Sequence, residues 1–271
     1  MRLRAPKRKR LLVALLGLAP LVVALAGWLL PSAVSTRPAP EPSSTLKEFP
    51  SVVLWAWERP ERLDFVEPRE AGVAFLARTL RLHGEEVSVR RRAQPLKVAQ
   101  GAKLMAVVRI ESDRSRPPRL TPEQRGAAVA AVAEVFDTPG LSALQIDFDA
   151  TQSERGFYRE FLFDLRRRAP ARLALSMTAL ASWCADDNWL EGLPVDEAVP
   201  MLFRMGADER QVRARVEAGE PFRASLCRTS LGVSTDEPLP KNLPRIRRVY
   251  VFHPRAWSAE AAREAIRKQN P

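Results

Sequence analysis

The sharpest alternation of apolar and polar positions in the chain runs through Ala143–Ala150, ALQIDFDA. Successive side chains of a strand point to opposite faces. Gln145, Asp147 and Asp149 therefore share one face, and Leu144, Ile146 and Phe148 share the other. Pro139-Gly140 supplies a turn before it, and Phe157, Tyr158, Phe161, Leu162 and Leu165 follow at helical spacing. Comparable strand patterns occupy 51–58, 86–92, 104–111, 172–179, 197–203, 230–233 and 248–253. Helical patterns occupy 71–82, where Gly84 offers a left-handed cap, and a stretch opening at Thr121-Pro122. Two more follow Gly206 and Ser258. Strands alternating with helices predict a parallel α/β fold, a (β/α)8 barrel with some helices short or missing, notably after the second and fifth strands.

Charge and composition change this picture mainly at the N-terminus. The 271 residues carry a formal net charge of +11, which by itself suggests a nucleic-acid binder. Six of those charges, Arg2, Arg4, Lys7, Arg8, Lys9 and Arg10, precede an uncharged run from Leu11 to Leu30 that is long enough to span a bilayer. The basic excess is thus largely a membrane address, and nucleic acid is not expected as a partner. The pattern predicts a cytoplasmic basic segment (1–10), a signal anchor or signal peptide (11–30), a Pro/Ser-rich linker (31–50) and a barrel domain (51–271). With an uncleaved anchor the chain is a single-pass inner-membrane protein with its domain in the periplasm. Cleavage after Ala33-Val34-Ser35 would release it there instead. Cys184 and Cys227 form either a disulfide or two buried thiols. With only His83 and His253 besides, neither a metal nor another cofactor is expected.

In a barrel of this type the C-terminal strand ends build the site. Those ends supply Trp57 and Glu58, Arg109 and Glu111, Gln145, Asp147 and Asp149, Ser182 and Trp183, Arg204, Asp236 and Glu237, and His253. Carboxylates with flat aromatic rings suit carbohydrate, since paired carboxyls can act as acid, base or nucleophile on a glycosidic bond. Asp147, Asp149 and Glu58 are the catalytic candidates. Trp57, Arg109, Glu111, Gln145, Trp183, Arg204 and Glu237 are the substrate-binding candidates, and the two arginines would admit an anionic sugar. Residues i and i+2 of a strand lie ~6.6 Å apart, close enough for one buried aspartate to raise the other's pKa. Each candidate also has a plainer role: Arg204 could simply neutralise an aspartate, Trp57 could fill the barrel, and Glu154 could cap the next helix.

WAWERPE (55–61), LQIDFDA (144–150), ALASWC (179–184), DEAVPMLFRMG (196–206), TDEP (235–238) and VYVFHPRAW (249–257) together resemble an uncharacterised bacterial domain-of-unknown-function family found on exported or membrane-anchored proteins. More distantly, the QIDFDA strand is similar to the acidic strand of chitinase-like, family-eighteen-type glycoside hydrolases. In those enzymes a general-acid Glu stands two residues beyond the last Asp, and here that position is Thr151. The resemblance implies a barrel acting on a poly- or oligosaccharide. The departure at Thr151 leaves three readings open: a glycoside hydrolase with an unusual acid, a degenerate barrel that binds glycan without cutting it, or a structural envelope protein with no ligand, its rim residues mutually paired and its mouth closed. Whether an envelope protein partner covers the mouth is open in each.

Overall fold

The computed structural model describes residues 44–241, 243 and 248–269. The expected basic segment and uncharged run, 1–30, and most of the expected linker lie outside these residues. Among the described residues no helix is long and apolar enough to cross a membrane.

In chain order the elements are α1 (Ser44–Lys47), β1 (Val52–Ala56), β2 (Glu61–Leu63), β3 (Ala71–His83), β4 (Glu86–Arg91), β5 (Leu96–Val98), β6 (Leu104–Ser112), α2 (Pro122–Ala133), β7 (Leu141–Asp147), α3 (Arg155–Arg168), β8 (Ala174–Leu180), α4 (Ala181–Ala185), β9 (Glu197–Met201), α5 (Glu209–Glu217), β10 (Ser230–Ser234), β11 (Arg248–Phe252) and α6 (Ala259–Gln269). Strands β1, β3, β6, β7, β8, β9, β10 and β11 pair in parallel in that order, and β11 returns to β1. The sheet thus closes into an eight-stranded parallel barrel with helices between strands.

At two places the structure differs from what the pattern predicts. The stretch 71–82 is not a helix but most of β3, the longest strand. It sits between β1 and β6 with both faces covered, so its apolar residues run almost without interruption, and a helical spacing can be drawn through such a run. Gly84 does adopt a left-handed backbone (φ 51°), but it does so in the hairpin that turns β3 into β4. The stretch 86–92 is accordingly not a barrel strand. It forms β4, antiparallel to the far half of β3 and mostly exposed. The first two crossovers therefore carry strands, and the first crossover helix is α2. That helix starts as its sequence indicates: Thr121 Oγ1 accepts the Gln124 N–H at 3.1 Å, and Pro122 opens the first turn.

The barrel is plugged at the N-terminal ends of its strands. Leu46 and Phe49, expected in the linker, are buried there beside Val53, Ala74 and Met105. A Cβ at Gly72 would lie 3.1 Å from the Phe49 ring, so the missing side chain makes room for the plug. Above it lies a buried ion pair, Arg248 Nη1 to Glu197 Oε2 at 2.8 Å, each side chain 1% exposed. Arg248 also donates to the Leu46 carbonyl, and Tyr250 donates its hydroxyl to Glu197. Ser176 Oγ donates to Glu197 Oε1 at 3.1 Å and accepts from Gln145 Nε2 at 3.1 Å, and Gln145 Oε1 accepts from Trp55 Nε1 at 2.9 Å. This chain of hydrogen bonds climbs from the plug to the floor of the mouth. Outside the barrel, Cys184 and Cys227 form a disulfide across 43 residues, worth roughly 4 kcal/mol by loop closure.

Replacing Arg248 with Met leaves the Glu197 carboxylate buried without its cation. The expected cost is roughly 3–5 kcal/mol in urea unfolding, with much of it recovered when Glu197→Leu is added. A double variant as unstable as the single one would show that the charge left behind is not the cause.

Candidate functional site

At the C-terminal ends of the strands a pocket of ≈ 240 Å³ opens into the barrel. Its two walls differ in kind. Trp57, Phe203 and Phe252 form an aromatic wall: Phe203 and Phe252 stack at 5.7 Å, and Trp57 meets Phe252 edge-on at 6.2 Å. Asp147, Asp149, Thr178 and Arg109 form a polar wall, supplied by the adjacent strands β6, β7 and β8 and the residues after them. Trp55 and Gln145 make the floor. The Trp55 ring reaches across to β10, where a Cβ at Gly232 would lie 2.9 Å from it.

Asp147 ends β7 and is 6% exposed. Thr178 Oγ1 donates to its Oδ1 at 2.8 Å, and Arg109 Nη1 approaches its Oδ2 at 3.4 Å. Arg109 is paired with Asp147 across β6 and β7, donates from Nε to Glu111 at 2.9 Å, and lies 5.8 Å over the Trp57 ring. Burial pushes the Asp147 carboxyl above the ordinary aspartate range. Arg109 opposes this, Asp149 adds to it, and the Thr178 hydroxyl opposes it more weakly. Asp149 stands beyond the strand end and is exposed, whereas the alternation had placed it within β7. Partial desolvation raises its pKa too, against the pull of Arg109. Solvent screens that effect at Asp149 far more than at Asp147. Two carboxyls thus meet with different surroundings, one fixed and buried, one free and reachable.

Six of the candidates line this pocket: Trp57, Arg109, Gln145, Asp147, Asp149 and Arg204. Glu111 lines an adjoining groove that shares Arg109, Asp147 and Asp149 with the pocket. Three candidates are turned elsewhere. Glu58 accepts the Ala93 N–H at 3.2 Å and braces the segment between β4 and β5. Trp183 is buried in the outer core, edge-on to Trp189 at 4.9 Å and under the Arg155 guanidinium at 5.6 Å. Glu237 spends both oxygens on the Arg204 backbone N–H, at 3.1 and 3.2 Å. Glu154 is the helix cap its position suggested, accepting the Thr151 N–H and hydroxyl at 2.7 Å each. His253 hydrogen-bonds Thr235 at 2.6 Å and stacks on Trp257, away from the pocket. Phe203, Phe252 and Thr178 were not singled out from the sequence. Strand parity could have found them, since each stands two residues beyond an inward-facing Met201, Tyr250 or Ser176. Among the described residues, no group of three or more His, Cys, Asp or Glu side chains is arranged to hold a metal ion.

Residues 100–204 match the model of a family described as Domain of unknown function (DUF3142). The matched stretch runs from just before β6 to the residue after Phe203, and so contains Arg109, Asp147, Asp149, Thr178 and Arg204. No curated protein and no solved structure matches the chain.

Because its folded-state pKa is raised, Asp147 favours folding in its protonated form. That contribution is fully present below the ordinary aspartate value and is lost as pH rises through the raised one. Asp147→Asn, which keeps an acceptor for Thr178, should therefore be at least as thermostable as the wild type near pH 7. The stability difference between the two should shrink as pH falls toward the ordinary carboxylate range. Melting curves across that range check this, and a variant that loses stability most at pH 7 would contradict it.

Proposed function

We propose that this chain is an exported, membrane-tethered barrel that acts on an envelope or extracellular polysaccharide as a glycoside-hydrolase-like enzyme. The observation that carries the reading is the pairing of Asp147 and Asp149 on one wall of the pocket with Trp57, Phe203 and Phe252 on the other. A sugar ring has apolar C–H faces and a hydroxylated edge, and a pocket with one aromatic and one acidic wall offers partners for both. Asp149 is the reachable carboxyl and acts as acid/base. Asp147, held by Thr178 and Arg109, is its electrostatic partner, and two carboxyls in unequal surroundings are what acid–base division of labour requires. Export is supported by the basic segment ahead of the uncharged run and by the Cys184–Cys227 disulfide, a bond that persists in oxidising compartments. The tether holds the enzyme at the inner membrane with its domain in the periplasm.

One observation favours a second reading, a barrel that binds glycan without cleaving it. Thr151, at the position where the resembling hydrolases carry their acid, is committed to the Glu154 carboxylate in a helix cap. A protein partner at the mouth would then complete the assembly.

The two readings separate in a screen of polysaccharides for both binding and released reducing ends. The enzyme reading expects products from the wild type and a loss on the order of 10²–10⁴-fold in Asp149→Asn, with unchanged thermal unfolding. Full activity in that variant would remove Asp149 from the mechanism. Binding without products would establish the second reading.

A further inference from the structure

Arg204 is one of two non-glycine residues with a left-handed backbone among the described residues, at φ 51°. A side chain at such a backbone angle is strained, and strain of this kind persists only where neighbours impose it. Here Glu237 imposes it, taking the Arg204 N–H with both carboxylate oxygens. The result is a guanidinium lying over the Phe252 ring at 4.9 Å, at the edge of the pocket. Its nearest acid is Asp236 at 4.0 Å, which already accepts the Ser234 hydroxyl. Asp208 lines the same edge and is exposed, with no ion pair to Arg204.

The two pocket arginines are therefore unlike. Arg109 is committed to Asp147 and Glu111. Arg204 makes no side-chain hydrogen bond among the described residues, and its side chain is 58% exposed. An uncommitted, planar guanidinium backed by an aromatic ring is suited to a carboxylate, which it can grip with two parallel N–H bonds. Volume limits what carries that carboxylate. The pocket's ≈ 240 Å³ lies below the usual range of about 300–1,000 Å³ for ligand sites, and so fits one ring. The groove that meets it at Arg109, Asp147 and Asp149 is larger, ≈ 870 Å³, and polar, lined by Arg81, Asp113, Arg114 and Ser153.

We infer that the pocket selects a sugar bearing a carboxylate, a hexuronate or a similar acidic unit, through Arg204, while the following units of the oligosaccharide run into the groove. The proposal rests on the glycan reading above and adds the class of sugar. It also orients the ring: its carboxylate goes to Arg204 on the β9 side, and its glycosidic oxygen goes to Asp149 after β7. Glu237 is a positioning residue that acts through the backbone of Arg204.

The test uses the full-length protein and calorimetric titration with matched pairs that differ only in oxidation at C6: cellohexaose against its hexuronate, and an α-1,4-linked galactose hexamer against the corresponding hexagalacturonate. Asp149→Asn serves as a background in which no probe is consumed. The expected result is at least tenfold tighter binding of the acidic member of one pair, weakening as salt is added. Arg204→Gln should remove most of that preference and weaken its salt dependence, the remainder belonging to Arg81 and Arg114 of the groove, and Arg204→Lys should retain more of both. Glu237→Gln should reduce the preference without lowering the melting temperature. Equal or tighter binding of the neutral members, or a preference untouched by Arg204→Gln, would overturn the inference and leave the glycan reading standing. Failure of every probe to bind would overturn both.

Discussion

The ion pair between Arg248 and Glu197 is the constraint on which the barrel interior depends. Two charges removed from water are costly unless further hydrogen bonds compensate them. Here those partners are drawn from around the ring: Ser176 on β8, Tyr250 on β11 and the Leu46 carbonyl of the N-terminal plug. The Arg248 Nε is left without a hydrogen bond, and the guanidinium lies 5.8 Å over the Phe49 ring. The pair thereby ties three strands and the plug together at one level. Gln145 and Trp55 continue the same chain of hydrogen bonds upward. The floor of the pocket is consequently an extension of the buried network, and its polar groups are already paired before anything enters.

That arrangement also explains the division of the mouth. Below, Glu197, Ser176, Gln145, Trp55 and Tyr250 are joined by hydrogen bonds. Above, the strand ends present unlike sides, acidic on β7 and aromatic on β1, β9 and β11. Asp147 sits at the boundary, anchored by Thr178 and Arg109 yet forming part of the pocket wall. Asp149 falls past it, beyond the end of the strand, where no side chain holds it by a hydrogen bond among the described residues. The two aspartates are neighbours in sequence but belong to different regimes, one part of the frame and one part of the opening.

Much of this was legible from strand parity. Gln145, Asp147, Arg109 and Trp57 point inward because the period of a strand leaves them no alternative. The closed parallel barrel followed from eight alternating segments, although one of the eight was mistaken: β3 took the place given to residues 86–92. Its doubly covered face erased the alternation that identifies a strand, and β4, with one side open to water, kept it. What parity could not supply was the direction of side chains settled by distant partners. Glu58 is claimed by the Ala93 amide, Glu237 by the Arg204 amide, and Trp183 by Trp189 and Arg155. Each follows a strand, Trp183 within α4, and each is drawn away by a partner 28 residues (Arg155 to Trp183), 33 residues (Arg204 to Glu237) or 35 residues (Ala93 to Glu58) distant that no local pattern encodes. The Thr151–Glu154 cap was readable for the opposite reason, since its partners lie three residues apart.

Gly232 gives the pocket an unusual kind of adjustability. The Trp55 indole occupies the space that a side chain on β10 would otherwise fill, and a single added carbon would come within 2.9 Å of it. The same ring holds Gln145 and lines the pocket. The depth of the cavity is therefore governed from a strand two places away in the barrel, by an absent methyl group. Chains sharing this architecture could differ in pocket depth through that position alone, with the acidic and aromatic walls left as they are.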